Sequence, residues 1–136
     1  MPSRSKLRRE LSFVTKVNDI QAREARRVEP EIEASRYAFQ LGKTRDAVLK
    51  VLPFEEKGSR LRMDKVLTER LDRLLEEYKR KAREAMAEGD RLDRDRKHEE
   101  AIKTFDRAQR EFPFPEVIRQ ANRRKSEILR KMVTPF

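Results

Sequence analysis

The sequence has no cysteine and no tryptophan, one histidine (His98), three glycines and two tyrosines. Without cysteine there is no disulfide, no thiolate nucleophile and no thiolate metal centre, a composition that fits a reducing compartment. A single histidine excludes any site built on two imidazoles. So few glycines leave little material for tight β-turns, and no glycine-rich loop that could cradle a phosphate occurs. No apolar run approaches the ~20 residues of a membrane span. The basic opening MPSRSKLRRELSF lacks the apolar stretch of a signal peptide. The expectation is a soluble, cytoplasmic protein with no membrane insertion.

What the chain has in quantity is charge. Of its 136 residues, 44% are charged and only 36% hydrophobic, so the core must be thin. The length suits one domain with an arm or tail. The apolar residues recur at helical spacing, which argues for an all-α fold rather than disorder. Thirty-five basic against 25 acidic residues leave +10. That excess points to an acidic partner (nucleic acid, an acidic protein or an anionic membrane surface), although chains rich in Arg and Glu also use both as solvated helix surface.

Along the chain, Leu7, Leu11, Val14, Val17 or Gln21, Ala25 and Val28 mark one side of a first amphipathic helix, widened by Phe13 and Ile20, with an interruption expected near Val17–Asp19. Its stripe is narrow enough to suit a partner helix. Pro30 reads as the first turn of a second helix, with Glu29, Glu31 and Glu33 at its positive end, Ile32, Tyr37, Ala38 and Leu41 as its packing face, and Gly42 as its terminator. Thr44 is expected to cap a short helix that Pro53 ends. Residues 52–59 form the boundary loop between an N-terminal region (1–58) and a C-terminal one (59–136), with Phe54 expected to anchor it to the core. From about Leu61 to Arg94 the apolar pattern is continuous, giving one helix of ~50 Å, or two joined end to end, whose first part needs neighbours. After Pro113 an end helix starts at Pro115, with Val117, Ile118, Ala121, Ile128 and Met132 as its stripe.

The most patterned stretch is Ala82–Pro113, AREAMAEGDRLDRDRKHEEAIKTFDRAQREFP. Ala85, Gly89 and Leu92 share one face. A polar turn follows at Asp95–Lys97, and a second face runs through Ala101, Ile102, Phe105, Ala108 and Phe112. Small residues at Ala85, Gly89, Ala101 and Ala108 allow two antiparallel helices to approach closely, with Phe105 filling the space between them. This stretch resembles a single tetratricopeptide repeat over about residues 82–115: Gly89, Ala101, Phe105, Ala108 and Pro113 fall at the family's small, small, aromatic, small and proline positions. It departs at Ala85 and Glu88, where the family prefers Trp and Leu. The expected architecture is therefore antiparallel helical hairpins with one long central helix, a repeat-like C-terminal hairpin and a closing helix. The resemblance implies that Arg83, Met86, Asp90 and Asp93 face a concave partner-binding surface, although Met86 and Asp90 do not suit the clamping of a terminal carboxylate.

Chemistry-bearing clusters are sparse. Asp95 and His98 could share a helix face, but one such pair cannot complete a di-metal carboxylate centre. Asp90, Asp93 and Asp95 alternate like calcium ligands but lack the central glycine and terminal glutamate of a calcium loop. No catalytic residue, metal site or cofactor is expected, and the chain reads as non-enzymatic. The leading expectation is a protein–protein interaction module within a larger hetero- or homo-oligomeric assembly, binding through Arg83, Met86, Asp90 and Asp93 with Leu71 and Leu74. The alternative is a nucleic-acid-binding subunit, with Arg4, Lys6, Arg8, Arg9, Arg119, Arg123, Arg124, Lys125, Arg130 and Lys131 on phosphates. A structural subunit of a virion shares the features of the first reading.

Overall fold

The computed structural model describes residues 4–55 and 63–133, apart from the side chains of Ser5 and Leu7. Among them are five α-helices and no strand: α1 (Arg4–Gln40), α2 (Thr44–Val51) with a 3-10 turn (Leu52–Glu55), α3 (Lys65–Arg94), α4 (His98–Glu111) and α5 (Pro115–Val133). The fold is all-α, as the helical spacing implied. The boundary expected at Gly58 and Ser59 lies outside the described residues. The most extensive interhelix packing joins α1 to α2, α3 to α4 and α4 to α5.

Two expectations for the first forty residues are corrected. α1 runs without interruption through Val17–Asp19, and Pro30 lies inside it rather than at the start of a second helix. A proline there removes the hydrogen bond to the Arg26 carbonyl and costs about 3 kcal/mol. Val28 and Ile32, on either side, are 0% and 1% exposed. At ~1.5–3 kcal/mol each, their burial is sufficient to keep the helix continuous. Glu29, Glu31 and Glu33 consequently meet no helix N-terminus; Glu33 instead ties α1 to α3 through Arg70, 2.9 Å away. The packing face differs too. Tyr37 and Leu41 are exposed, and Ser35 is wholly buried in their stead.

Ser35 is buried because it sits seven residues after Val28, on the same side of the helix. Its hydroxyl donates to the Ala47 carbonyl at 2.6 Å. That hydroxyl has one proton, so the 2.7 Å contact with the Tyr78 hydroxyl must be donated by Tyr78. One buried chain of polar groups thus joins α1, α2 and α3, and Phe39 stacks obliquely on the Tyr78 ring at 5.2 Å. Burial raises the Tyr78 pKa, partly opposed by the bond to Ser35.

α1 ends at Gln40 and the chain turns at Gly42, whose φ of +79° allows it. The Lys43 and Gly42 amides reach back to the Ala38 and Phe39 carbonyls at 2.9 and 3.0 Å, the paired bonds of a Schellman motif. The turn between α3 and α4 repeats this arrangement with Arg96 in the left-handed position, its amide on Asp93 O and that of Lys97 on Leu92 O. The expected cap at Thr44 is not made: Lys43 precedes α2 and no side chain caps it. The effective cap is Asp64, which accepts from the Leu67 amide at 2.7 Å and starts α3 at Lys65.

The first core cluster combines Val28, Ile32, Val48 and Val51 with Leu67, Leu71, Leu74 and Tyr78, so the two regions expected from the sequence share one core. Phe54 anchors the 3-10 turn there, with the Arg27 guanidinium 5.4 Å above its ring. The second cluster lies among α3, α4 and α5 and is built from Met86, Leu92, Ala101, Phe105, Ala108, Ala121 and Ile128. Here Gly89 faces the Phe105 ring so closely that a Cβ would lie 2.6 Å from it. Met132, expected in the α5 stripe, is exposed.

Candidate functional site: the groove between α3 and α5

α4 packs on both α3 and α5, and the paired residues fix how those two helices run. Asp90 meets Arg124 and Asp93 meets Lys131, so numbers rise together and α3 and α5 are parallel. Between them lies a groove of about 290 Å³. Ala82, Met86, Phe114 and Val117 contribute its apolar lining, and Lys79, Arg83, Asp90, Glu116, Gln120 and Arg124 its polar lining.

The resemblance to the repeat family implied one surface for Arg83, Met86, Asp90 and Asp93, and three of the four line this groove. Met86 is 8% exposed and presents little beyond a floor. Arg83 holds Glu76 at 2.7 Å, and that hydrogen bond lowers the Glu76 pKa. Asp90 is ion-paired with Arg124 across the groove at 3.0 Å. Lys79 pairs with Glu55 and stands 5.7 Å over the Phe114 ring, at the end where α5 begins.

Asp93 does something else. It accepts from Lys131 at 3.0 Å and lies 3.0 Å from His98 Nδ1, fastening the α3–α4 turn to the far end of α5. Burial alone would raise its pKa, but the bonds from Lys131 and His98 outweigh that and hold the carboxyl below its usual range. His98 therefore pairs with Asp93 and not with Asp95, whose carboxylate is taken by Arg91 at 3.1 Å. Among the described residues no three His, Asp or Glu side chains converge as metal ligands.

Leu71 and Leu74 require correction as partner-binding residues. They are 0% and 6% exposed within the chain's own first core cluster, because the N-terminal helices supply the neighbours that the long helix needed. The ten cations of the nucleic-acid reading also divide. Arg124, Lys125 and Lys131 are held by Asp90, Asp106 and Asp93 within the chain, at 3.0, 2.6 and 3.0 Å. Arg4, Lys6, Arg8 and Arg9 are exposed at the start of α1, and Arg119, Arg123 and Arg130 along α5.

Sequence reasoning missed Lys79, Phe114, Val117 and Gln120 as groove residues. Phe114 and Val117 carried a signal, since they follow Pro113 at helical spacing, but the facing of α5 toward α3 depends on the turn at Phe112–Phe114. Compared with protein-family models, curated proteins and solved structures, the chain finds no match. Among the described residues no helix is long and apolar enough to cross a membrane.

Proposed function

We propose that this chain is a non-enzymatic helical interaction module, a small subunit or adaptor that holds a segment of another protein in the groove between α3 and α5. The observation that carries this reading is the groove's construction, an apolar floor at Ala82, Met86, Phe114 and Val117 beneath charged walls from two parallel helices. Apolar surface supplies affinity and fixed polar groups supply orientation, the usual division in a recognition cleft. The hairpin's resemblance to a tetratricopeptide repeat belongs to the same proposal, as does the placing of Arg83, Met86 and Asp90 on a concave side.

The test is site-specific photo-cross-linking in the native cell, with a benzophenone amino acid at Ala87, in the groove, or at Arg107, exposed on α4. A discrete protein adduct from Ala87 and none from Arg107 is the expected result. Equal labelling from the two positions, or none, removes the groove as a binding site. The alternative, a nucleic-acid subunit, retains Arg8, Arg9, Arg119 and Arg123 as exposed cations outside the groove. It predicts nucleic acid that leaves the purified chain as salt rises.

A further inference from the structure

The first twenty residues of α1 leave a feature that the groove does not use. Residues 4–23 precede Glu24, the first buried position among the described side chains of the helix, and by helical rise extend ~30 Å. On this arm Leu11, Phe13, Val14 and Ile20 are 67%, 69%, 52% and 44% exposed. The exposure is not scattered. Val14 lies on the same column of the helix as Gln21, Val28 and Ser35, seven apart, and Leu11 on that of Asn18, Ala25 and Ile32. Val28, Ile32 and Ser35 are the residues that pack into the core. The arm therefore carries the core-facing stripe of α1 outward, with no helix of the described chain lying over it.

Four occupants can be weighed on geometry and charge. A flat bilayer is obstructed, because the body of the protein stands on the same side of α1 as the stripe and meets the surface first. A nucleic acid would take the cations and leave the apolar residues in water. A second arm from another copy would oppose like charges, since residues 4–23 hold Arg4, Lys6, Arg8, Arg9, Lys16 and Arg23 against Glu10 and Asp19. An amphipathic helix of another protein, with an apolar stripe and acidic flanks, meets every condition. It fits the corner between arm and body, continues the core, and is opposite in charge to Arg9, Lys16 and Arg23, which recur at seven-residue intervals beside Phe13 and Ile20.

We propose that the arm of α1 is the docking site for an acidic amphipathic helix of a different protein. This surface is separate from the groove, and the interaction does not depend on the groove being occupied.

The experiment titrates the full chain with a labelled synthetic helix of about 21 residues, Leu at its seam positions and Glu at its flanks, and with a twin carrying Lys at the flanks. Binding of the Glu probe at least about tenfold tighter than the Lys probe is expected, falling about tenfold or more in the double variant Leu11→Gln/Val14→Gln. Both substituted residues are exposed, so circular dichroism and melting temperature should be unchanged. Ala87→Arg in the groove should leave the affinity as it was, whereas a loss there would put the probe in the groove and overturn the arm. Equal affinity for both probes, or for wild type and the double variant, also overturns it. So does variant-sensitive binding of phosphatidylserine vesicles in preference to the Glu probe, or a dimer in solution that the double variant dissolves.

Discussion

The two core clusters solve the same problem, holding charged helices together, with different materials. The first, around α1, α2 and the start of α3, uses branched aliphatics and one buried polar chain, Ser35 to Ala47 and Tyr78. The second, among α3, α4 and α5, has no such polar chain. It relies on small residues and one ring, Phe105 against Gly89. The first gains specificity from directional bonds, since a shifted α2 would leave the Ser35 hydroxyl without its acceptor and a shifted α3 would do the same to Tyr78. The second gains it from shape, since the ring fits only where a Cβ is missing. A shape-specified pair should fail through volume and a bond-specified pair through lost partners.

The largest expected effect is in the shape-specified cluster. Phe105→Ala should cost about 3–5 kcal/mol, the transfer free energy of a wholly buried ring plus the cavity left behind. Gly89→Ala should cost about 1–3 kcal/mol, because the methyl would sit 2.6 Å from the ring and one of them must move. Urea unfolding followed by circular dichroism measures both. A neutral Gly89→Ala would mean that α3 and α4 pack more loosely than the structure shows.

Next comes the bond-specified cluster. Ser35→Ala strands the Tyr78 hydroxyl and removes the tie from α1 to the Ala47 carbonyl, and should cost about 1–3 kcal/mol. Tyr78→Phe leaves Ser35 still bonded to Ala47 and should cost less, about 0.5–1.5 kcal/mol. Because the folded Tyr78 pKa is raised, its contribution is complete below the ordinary tyrosine value and is lost as pH climbs through the folded one. Tyr78→Phe should therefore flatten the alkaline limb of the stability curve above about pH 10.

The Asp93 clamp ranks third. Its folded pKa is lowered, so its stabilisation is present above the ordinary carboxylate value and disappears as pH falls through the folded one. Since Asp93 and Lys131 are partly exposed, the effect of Asp93→Asn near neutral pH should be only about 0.5–1 kcal/mol. The variant should also lose part of the wild-type decline in stability below about pH 4. An unchanged acid limb would assign that decline to other carboxylates.

How much of this was legible beforehand follows from which interactions are local. The hairpin's small residues, Phe105 and the Gly42 stop lie within a turn or two of their consequences, and the sequence pattern announced them. Ser35 did not announce itself. A serine inside a helix pattern reads as surface, and its partners, Ala47 and Tyr78, lie 12 and 43 residues away. Pro30 was misleading for the same reason: the local rule for breaking a helix was outweighed by burial of Val28 and Ile32 against segments distant in sequence. In the groove, the α3 side was readable from repeat-like spacing. The α5 side depended on how Phe112–Phe114 turns the chain, which spacing does not encode.

The last prediction, no larger than that for Asp93, isolates one backbone torsion in matched settings. Gly42 and Arg96 close α1 and α3 with the same pair of hydrogen bonds, and both have positive φ, +79° and +61°. A side chain in that region costs ~1–2 kcal/mol, while glycine gives back about 0.5–1 kcal/mol through its freer unfolded chain. Arg96→Gly should accordingly stabilise by about 0.5–1 kcal/mol, and Gly42→Ala should destabilise by a similar amount. No heavy atom lies within 4 Å of a Cβ built at Gly42, so that cost would be torsional and not steric. If Arg96→Gly proves destabilising instead, the Arg96 side chain contributes more to the α3–α4 turn than the strain it carries, and the two turns are alike in geometry but not in energy.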